Sequence, residues 1–291
     1  MIFNKIGGGS EKVTLDGKTV TKRYNFITSE KIKKDLQAMP YSCGGVAMIA
    51  CSDHKRNTFH AFGHISGPAL FHCSWDANSR KWTQHGEEKG FLDNAYFARL
   101  TYWKENINFL FGSTYYGKRT HRKWNGSGWT SVSSPPINVY DSPLTSSNDT
   151  IYACDMDGYT SYKYSNSWSQ IARLPYSAQK GKFEYYNGKL HLIGGTGGAN
   201  KHYILNGQSW TMLPNLPFNT TDPNLHFIYN NCIYVESNNA QLWKYDGANW
   251  TLDANLIGAG ANTSGDILNG NMHFVTGGNE HYTLKQTYEV I

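Results

Sequence analysis

Short apolar stretches alternate with polar, turn-forming residues along most of the chain, a pattern typical of β-strands rather than of helices. Residues 183–186 and 189–194 are two such stretches, and Asn187-Gly188 separates them. Asn-Gly supplies the positive φ angles that a tight hairpin turn requires. The pattern therefore predicts an all-β protein built from many short strands joined by hairpins.

Five tryptophans occur in one recurring context, in which an apolar residue and a turn precede the tryptophan and Thr or Ser follows it. Successive members are roughly 40 residues apart, a period typical of repeat folds. We expect each tryptophan to fill the gap between two neighbouring repeats. The five are Trp82, Trp129, Trp168, Trp210 and Trp250.

A second set of turns lies about midway between the tryptophans, so each repeat contains four strands and two hairpins. Radial repetition of four-stranded units is typical of a β-propeller. The spacing thus predicts a six-bladed propeller. The turns are Lys55-Arg56, Glu105-Asn106, Asn148-Asp149, Asn187-Gly188, Asn230-Asn231 and Asn269-Gly270.

The repeat count also predicts how the ring closes. The last repeat lacks its fourth strand, while residues 32–40 repeat the pattern of residues 210–217 without the tryptophan. We therefore expect a strand at about residues 31–40 to complete the last blade and remove an open sheet edge. This divides the chain into a short β-hairpin segment, 1–30, and a propeller domain, 31–291.

Several local features of the repeats resemble the kelch motif. Gly194-Gly195 and Gly277-Gly278 each end a second strand, and Leu213-Pro214 belongs to the same pattern. The likeness covers residues 32–291 and implies a kelch-like propeller. Other residues replace the double glycine in the remaining repeats, so the resemblance implies the fold rather than an activity.

The N-terminal segment resembles the attachment segments of phage or phage-like tail proteins from Gram-positive hosts. Gly7-Gly8-Gly9-Ser10 precedes a hairpin that turns at Asp16-Gly17. The resemblance implies a place in the tail of a virion or of a phage-like particle such as a bacteriocin, made in the bacterial cytoplasm. Tail or baseplate proteins would then bind residues 1–30, and a homo-oligomer fits this interpretation.

Composition excludes several partners and locations. Charged residues make up 17% of the chain and its net charge is +5, without a long block of Lys or Arg. We therefore predict no nucleic-acid partner. Since no apolar stretch is long enough for a membrane span or a signal peptide, neither is predicted. Five cysteines without a CxxC pair indicate buried free thiols and a reducing compartment.

The loops opposite the uniform turns vary in sequence and are rich in tyrosine and amide residues. Aromatic faces and hydrogen-bonding side chains at variable loops suit carbohydrate, so we predict that this face binds a cell-surface glycan or cell-wall polymer. The candidate binding residues are Tyr115, Tyr116, Arg119, Asp157, Tyr159, Asn238 and His281.

Two alternatives stay open. A sugar-processing enzyme would be similar to sialic acid mutarotases or galactose oxidases, with Glu236, Glu280 and Arg119 as candidates for a shared site. The histidines are scattered along the sequence, so no catalytic residue, metal ligand or cofactor is predicted. The second alternative is a peptide-binding adaptor, although the chain has no room for the helical assembly domain that such propellers usually carry.

Overall fold

The computed structural model describes residues 10–15, 18–26, 39–40, 49–64, 70–87, 98–113, 118–223, 225–255, 263–276 and 280–290. Strands and loops make up these ranges, and no helix within them is long and apolar enough to cross a membrane.

An antiparallel hairpin begins the described chain, and two four-stranded antiparallel sheets follow it. The hairpin consists of β1 (Ser10–Leu15) and β2 (Lys18–Phe26). Blade 1 consists of β3 (Ile49–Asp53), β4 (Thr58–His64), β5 (Leu70–Asp76) and β6 (Lys81–Glu87). Blade 2 consists of β7 (Arg99–Trp103), β8 (Asn106–Ser113), β9 (Lys118–Trp124) and β10 (Trp129–Ser131).

The next three blades repeat this order from inner to outer strand. Blade 3 consists of β11 (Leu144–Ser146), β12 (Ile151–Cys154), β13 (Ser161–Tyr164) and β14 (Trp168–Gln170). Blade 4 consists of β15 (Lys182–Tyr186), β16 (Lys189–Ile193), β17 (His202–Asn206) and β18 (Ser209–Met212). Blade 5 consists of β19 (His226–Tyr229), β20 (Cys232–Glu236), β21 (Gln241–Tyr245) and β22 (Trp250–Asn255).

Blade 6 joins the two ends of the chain. Its strands β23 (Thr263–Leu268), β24 (Asn271–Thr276) and β25 (His281–Val290) are followed in the sheet by β2 and then β1. The first strands of successive blades contact one another in a ring, which β23 closes against β3. The fold is a six-bladed β-propeller, as the sequence repeat predicts.

The inner hairpins form at or within one residue of the predicted turns, and in four of the six both central turn residues adopt positive φ. Asn187 and Gly188 have φ of 48° and 77°, and Asn269 and Gly270 have φ of 51° and 73°. Glycine adopts such angles without the steric cost that a Cβ imposes. Each turn fixes the register of the two strands that it joins. The register in turn decides on which face of the sheet each side chain of these strands lies.

The hydrophobic core is divided among the six gaps between neighbouring blades. One cluster joins Phe227 and Tyr234 of blade 5 to Met272 and Phe274 of blade 6, and the other gaps hold similar clusters. Blades thus stabilise one another by burying the apolar faces of their sheets.

Paired polar side chains are buried between the second and third strands of four blades. Imidazole nitrogens of neighbouring histidines lie 2.8–3.1 Å apart in three of these blades, and in blade 2 an amide replaces one imidazole. Burial is tolerated because each group finds a hydrogen-bond partner. The pairs are His60–His72, Asn108–His121, His191–His202 and His273–His281.

The repeated tryptophans bridge neighbouring blades, as expected. Trp250 Nε1 donates to Nδ1 of His202 in the preceding blade at 3.3 Å. Trp168 Nε1 and Trp210 Nε1 donate to preceding-blade carbonyls, those of Ser133 and Ala172. Each of these indole rings is half-buried, so part of its edge faces solvent.

The cysteines are free thiols in the described part of the chain. Cys51, Cys73, Cys154 and Cys232 are all buried and unpaired by disulfides, as the sequence predicts. Cys43 lies outside the described residues.

The position of the closing strand differs from the sequence prediction. Residues 22–26 of β2 pair with residues 286–290 of β25, so the hairpin within residues 1–30, rather than residues 31–40, pairs with the last blade. Residues 31–38 lie outside the described residues, and Met39 and Pro40 lie in no strand. The sequence of β2 explains the error: it holds three successive β-branched residues and two aromatic residues, whereas residues 31–40 hold one β-branched residue, no aromatic residue and a proline. The domain division at residue 30 stays a prediction.

Removal of residues 1–26 should destabilise the ring, because residues 286–290 would then become an unpaired edge. We expect a lower melting temperature and aggregation, measured by differential scanning calorimetry and light scattering. Truncation of residues 1–9 is the matched control, since it ends before β1. Equal melting temperatures for the two truncations would contradict the closure by β2.

Replacement of Trp210 by Ala should lower the free energy of unfolding by about 2–4 kcal/mol, near or below the range for a fully buried tryptophan. The variant loses the stacking on Phe183 and the hydrogen bond to Ala172. Chemical denaturation measures the change, with Trp210→Phe separating the ring from the indole N–H. A loss under 0.5 kcal/mol would show that the ring contributes little.

The unfolding free energy should fall as the pH drops below about 6.5. Burial lowers the pKa of His191 to about 4, and burial together with His191 lowers the pKa of His202 to about 3. Between pH 6.5 and the folded-state pKa of each histidine the unfolded chain binds more protons, so this stabilisation is complete above pH 6.5, declines within that window by about 1.4 kcal/mol per pH unit and proton, and is absent below it. His191→Asn copies Asn108 of blade 2, so we expect it to fold and to show a shallower decline in pH-dependent denaturation. An unchanged slope would contradict this assignment.

Candidate functional site

Charged side chains converge where the inner strands begin. We call this group the channel mouth, and it consists of Arg99, Asp141, Lys180, Lys182, Glu184, Asp222 and His226.

Chain direction places the channel mouth on the variable face of the propeller. Arg99, Lys182 and His226 are the first residues of the inner strands β7, β15 and β19. Since strand direction alternates within a blade, the loops between second and third strands lie on this same face. The mouth is therefore next to the loops that the sequence analysis singled out.

Two carboxylates of the mouth are engaged in ion pairs, and a third lies against an imidazole. Asp141 accepts a hydrogen bond from Arg99 and lies 3.7 Å from Lys180 Nζ. The same ammonium group lies 3.1 Å from Asp222. Glu184 Oε1 lies 2.6 Å from His226 Nδ1. Each acidic group thus already has a basic partner.

Lys182 differs from the other cations of the mouth. Only 6% of the residue is exposed, and within the described residues no carboxylate lies within ion-pair distance of its ammonium group. Burial, and then the neighbouring Arg99, lower the pKa of Lys182 to about 8. Arg99 Nε is also buried without a hydrogen-bond partner. Such donors can hold an anionic or oxygen-rich ligand.

Two of the predicted binding residues make hydrogen bonds at the variable face, Asp157 from a loop and Arg119 from the start of β9 rather than from the predicted loop. Arg119 is exposed, and its Nε donates to Asn138 Oδ1 at 3.2 Å. Asp157 Oδ1 accepts the backbone N–H groups of Tyr159 and Thr160 at 2.7 and 3.0 Å. Their shared surface is built on blades 2 and 3.

Tyr159 and Asn238 lie on different loops of the same face. The Arg173 guanidinium lies 4.8 Å from the centre of the half-buried Tyr159 ring. Asn238 is exposed, and its Oδ1 accepts the backbone N–H of Thr221 at 3.0 Å, beside Asp222 of the mouth. Tyr115 and Tyr116 lie outside the described residues. Ligand binding by these positions stays a prediction.

His281 is not a loop-tip residue, contrary to the prediction. It begins β25, is 2% exposed, and its Nε2 lies 3.1 Å from His273 Nδ1. Glu236, a candidate of the enzyme alternative, is buried in β20 and accepts the backbone N–H of Leu225 at 3.1 Å. Both positions extend a strand where the sequence suggests a loop, and burial removes them from the binding surface.

A group able to hold a metal ion lies away from the mouth. Among the described residues, His60, His72 and His85 place their ligand nitrogens within 4.8 Å of one another. Sequence spacing alone does not reveal this group, because its members lie on three strands, β4, β5 and β6.

Comparisons with known proteins support the fold over most of the chain. No family model matches the sequence. A kelch domain-containing protein of Saccharolobus solfataricus is 37% identical over 76 residues, which are 26% of this chain and 10% of that protein. The chain therefore spans only a small part of that relative. The solved structure of YjhT superposes with a TM-score of 0.61 and 13% identity, covering 87% of this chain and 99% of that one. Together with five four-stranded blades and a sixth blade completed by the N-terminal hairpin, these likenesses support a kelch-like β-propeller fold.

Proposed function

We propose that this propeller is a non-enzymatic binding protein whose channel mouth and surrounding loops recognise an anionic cell-surface carbohydrate. The observation that carries the proposal is Lys182, a buried lysine for which the described residues provide no ion-paired carboxylate. Asp222, Asp141 and Glu184 offset only part of the cost of burying this ammonium group, so an anionic group of a ligand would stabilise it.

The neighbouring groups suit a saccharide that carries a carboxylate or phosphate. Arg99 offers a buried Nε donor, and Arg119, Asp157 and Asn238 present polar groups around the mouth. Tyr159 adds an aromatic ring of the kind that stacks on a sugar face. Cell-wall polymers of this chemistry are the receptor class that we propose.

The biological setting follows from the N-terminal resemblance. We propose that the protein belongs to the tail of a phage or phage-like particle and binds tail or baseplate proteins through residues 1–30. Several copies on one particle would strengthen weak contacts through multivalency.

A sugar-processing enzyme is the second candidate, and the pair of Glu184 and His226 favours it. The 2.6 Å contact between carboxylate and imidazole places an acid–base pair two residues along β15 from Lys182. Turnover of a bound sugar, lost in Glu184→Gln, would favour this candidate over simple binding.

Lys182→Met should weaken binding of an anionic glycan at least about 30-fold, since truncating one partner of a buried charged contact costs 2 kcal/mol or more. Arrays of uronic-acid and phosphate-bearing cell-wall polymers, with calorimetry on the best ligand, measure the effect. Lys163→Met is the matched control, since it removes an exposed lysine of β13. Equal affinities for the wild type and Lys182→Met, or binding confined to a peptide, would overturn the proposal.

Affinity for that glycan should fall as the pH rises through about 8. The pKa of free Lys182 is about 8, and only its protonated form attracts an anion. Lys182→Arg keeps the charge at every pH used, so calorimetry should show its affinity to be independent of pH. A wild-type affinity that stays constant between pH 7 and 9 would exclude Lys182 as the anion contact.

A further inference from the structure

The three histidines of blade 1 form a cluster that the proposed function does not use. His60 and His72 are buried, whereas His85 is exposed on the outer strand β6. His60 Nδ1 lies 2.8 Å from His72 Nε2, and the rings of His72 and His85 stack with centres 4.3 Å apart. The cluster thus runs from the blade interior to the surface, which provides an entry path for an ion.

The cluster of blade 1 differs from the buried histidine pair of blade 4 in having a third imidazole. His191 and His202 of blade 4 have the same hydrogen bond and equivalent strand positions as His60 and His72. In blade 4 the residue after Met212 is Leu213, whose backbone N–H donates to the His202 carbonyl. Blade 4 therefore places no third imidazole beside its pair.

A β-bulge supplies the third imidazole of blade 1. Gln84 pairs with Cys73 and Gly86 pairs with His72, so His85 is the extra residue of the bulge. Bulges re-aim side chains and are over-represented beside functional sites. The bulge that interrupts the hydrogen bonding between β5 and β6 thus also brings the His85 imidazole next to His60 and His72.

The outer ring nitrogens of two histidines are held by hydroxyl groups. His60 Nε2 lies 2.8 Å from Thr58 Oγ1, and His85 Nε2 lies 2.7 Å from Ser74 Oγ. Histidines that bind metals usually donate their second ring N–H to such a partner, which fixes the tautomer and the ring orientation. In both residues Nδ1 would then be the nitrogen that binds a metal ion.

We propose that His60, His72 and His85 bind one Zn²⁺ ion through His60 Nδ1, His72 Nε2 and His85 Nδ1. Three neutral imidazoles without a carboxylate suit zinc and its transition-metal neighbours rather than Mg²⁺ or Ca²⁺. Zinc bonds of 2.0–2.1 Å place tetrahedral ligands roughly 3.3 Å apart, so the nitrogens of His60 and His72 move apart by about 0.5 Å and the longer separations in the cluster close in by about 1.5 Å or less. The ion replaces the His60–His72 hydrogen bond, and water or a ligand takes the fourth position beside His85.

The bound ion would tie the outer strand of blade 1 to its interior. Trp124 of blade 2 lies edge-on to His72 and His85, with ring centres 4.7 and 5.1 Å away. The metal therefore sits at the interface of blades 1 and 2 and stabilises it, because the unfolded chain does not hold the three ligands together.

Isothermal titration of the metal-free full chain with zinc sulfate tests the proposal, together with metal analysis after dialysis. We expect one zinc per chain and a higher melting temperature with zinc. His85→Ala should weaken zinc binding at least 100-fold, and since His85 is exposed this variant should fold as the wild type does. Ser74→Ala and Thr58→Val should each lower the affinity about 10–100-fold, as for other groups that orient metal-bound histidines.

Two control variants show whether zinc binds at the three histidines of blade 1 rather than elsewhere in the protein. Gln84→Ala changes the exposed neighbour of His85 and should bind zinc as the wild type does. His191→Asn changes the pair of blade 4 and should also retain the single zinc. Absence of zinc binding in the wild type, unchanged binding in His85→Ala, or loss of binding in His191→Asn would each overturn the site.

Discussion

The burial of polar side chains between neighbouring blades is the constraint on which the rest of this structure depends. A propeller ring needs every gap filled, yet in four blades the second and third strands bring imidazole or amide groups into the gap. These groups are tolerated because each is hydrogen-bonded and because aromatic rings of the next blade lie against them, as Trp250 does over His202. Each buried pair is shielded from water by aromatic rings of the following blade. The pairs therefore stay buried only when the ring of blades is closed.

The alternating direction of the strands gives the propeller two faces with different residues. Short hairpin turns occupy one face, and in four of the inner turns two consecutive residues have positive φ, which restricts the residue types that fit there. The opposite face collects the first residues of the inner strands, and there the charges of Arg99 and Lys182 come from blades far apart in sequence. A rigid scaffold thus holds a compact charged mouth within a rim of loops, and the composition of those loops can change without affecting the ring.

Sequence patterns of a few neighbouring residues predicted the strands and hairpins of the blades. They did not predict which distant segments pair with one another. Turn pairs such as Asn187-Gly188 locate hairpins because backbone angles are decided by neighbouring residues. The pairing of β2 with β25 joins segments that are far apart in the chain. Residue types alone did not show that β2, rather than the segment 31–40 with its partial repeat pattern, supplies the pairing strand. The buried position of His281 and the cluster at His85 depend on where a strand begins and on a bulge, and neither detail is visible in the spacing of histidines.

The pairing of β2 with β25 also has a consequence for synthesis on the ribosome. The hairpin leaves the exit tunnel well before its partner at residues 286–290 is made. At the 5–20 residues per second typical of translation, the outer edge of β2 waits roughly 15–50 s for that partner. During this interval an unpaired strand is free to join another nascent chain. Neighbouring ribosomes on one message carry such hairpins at the same time, so the order of synthesis favours exchange of this hairpin between copies whenever translation slows.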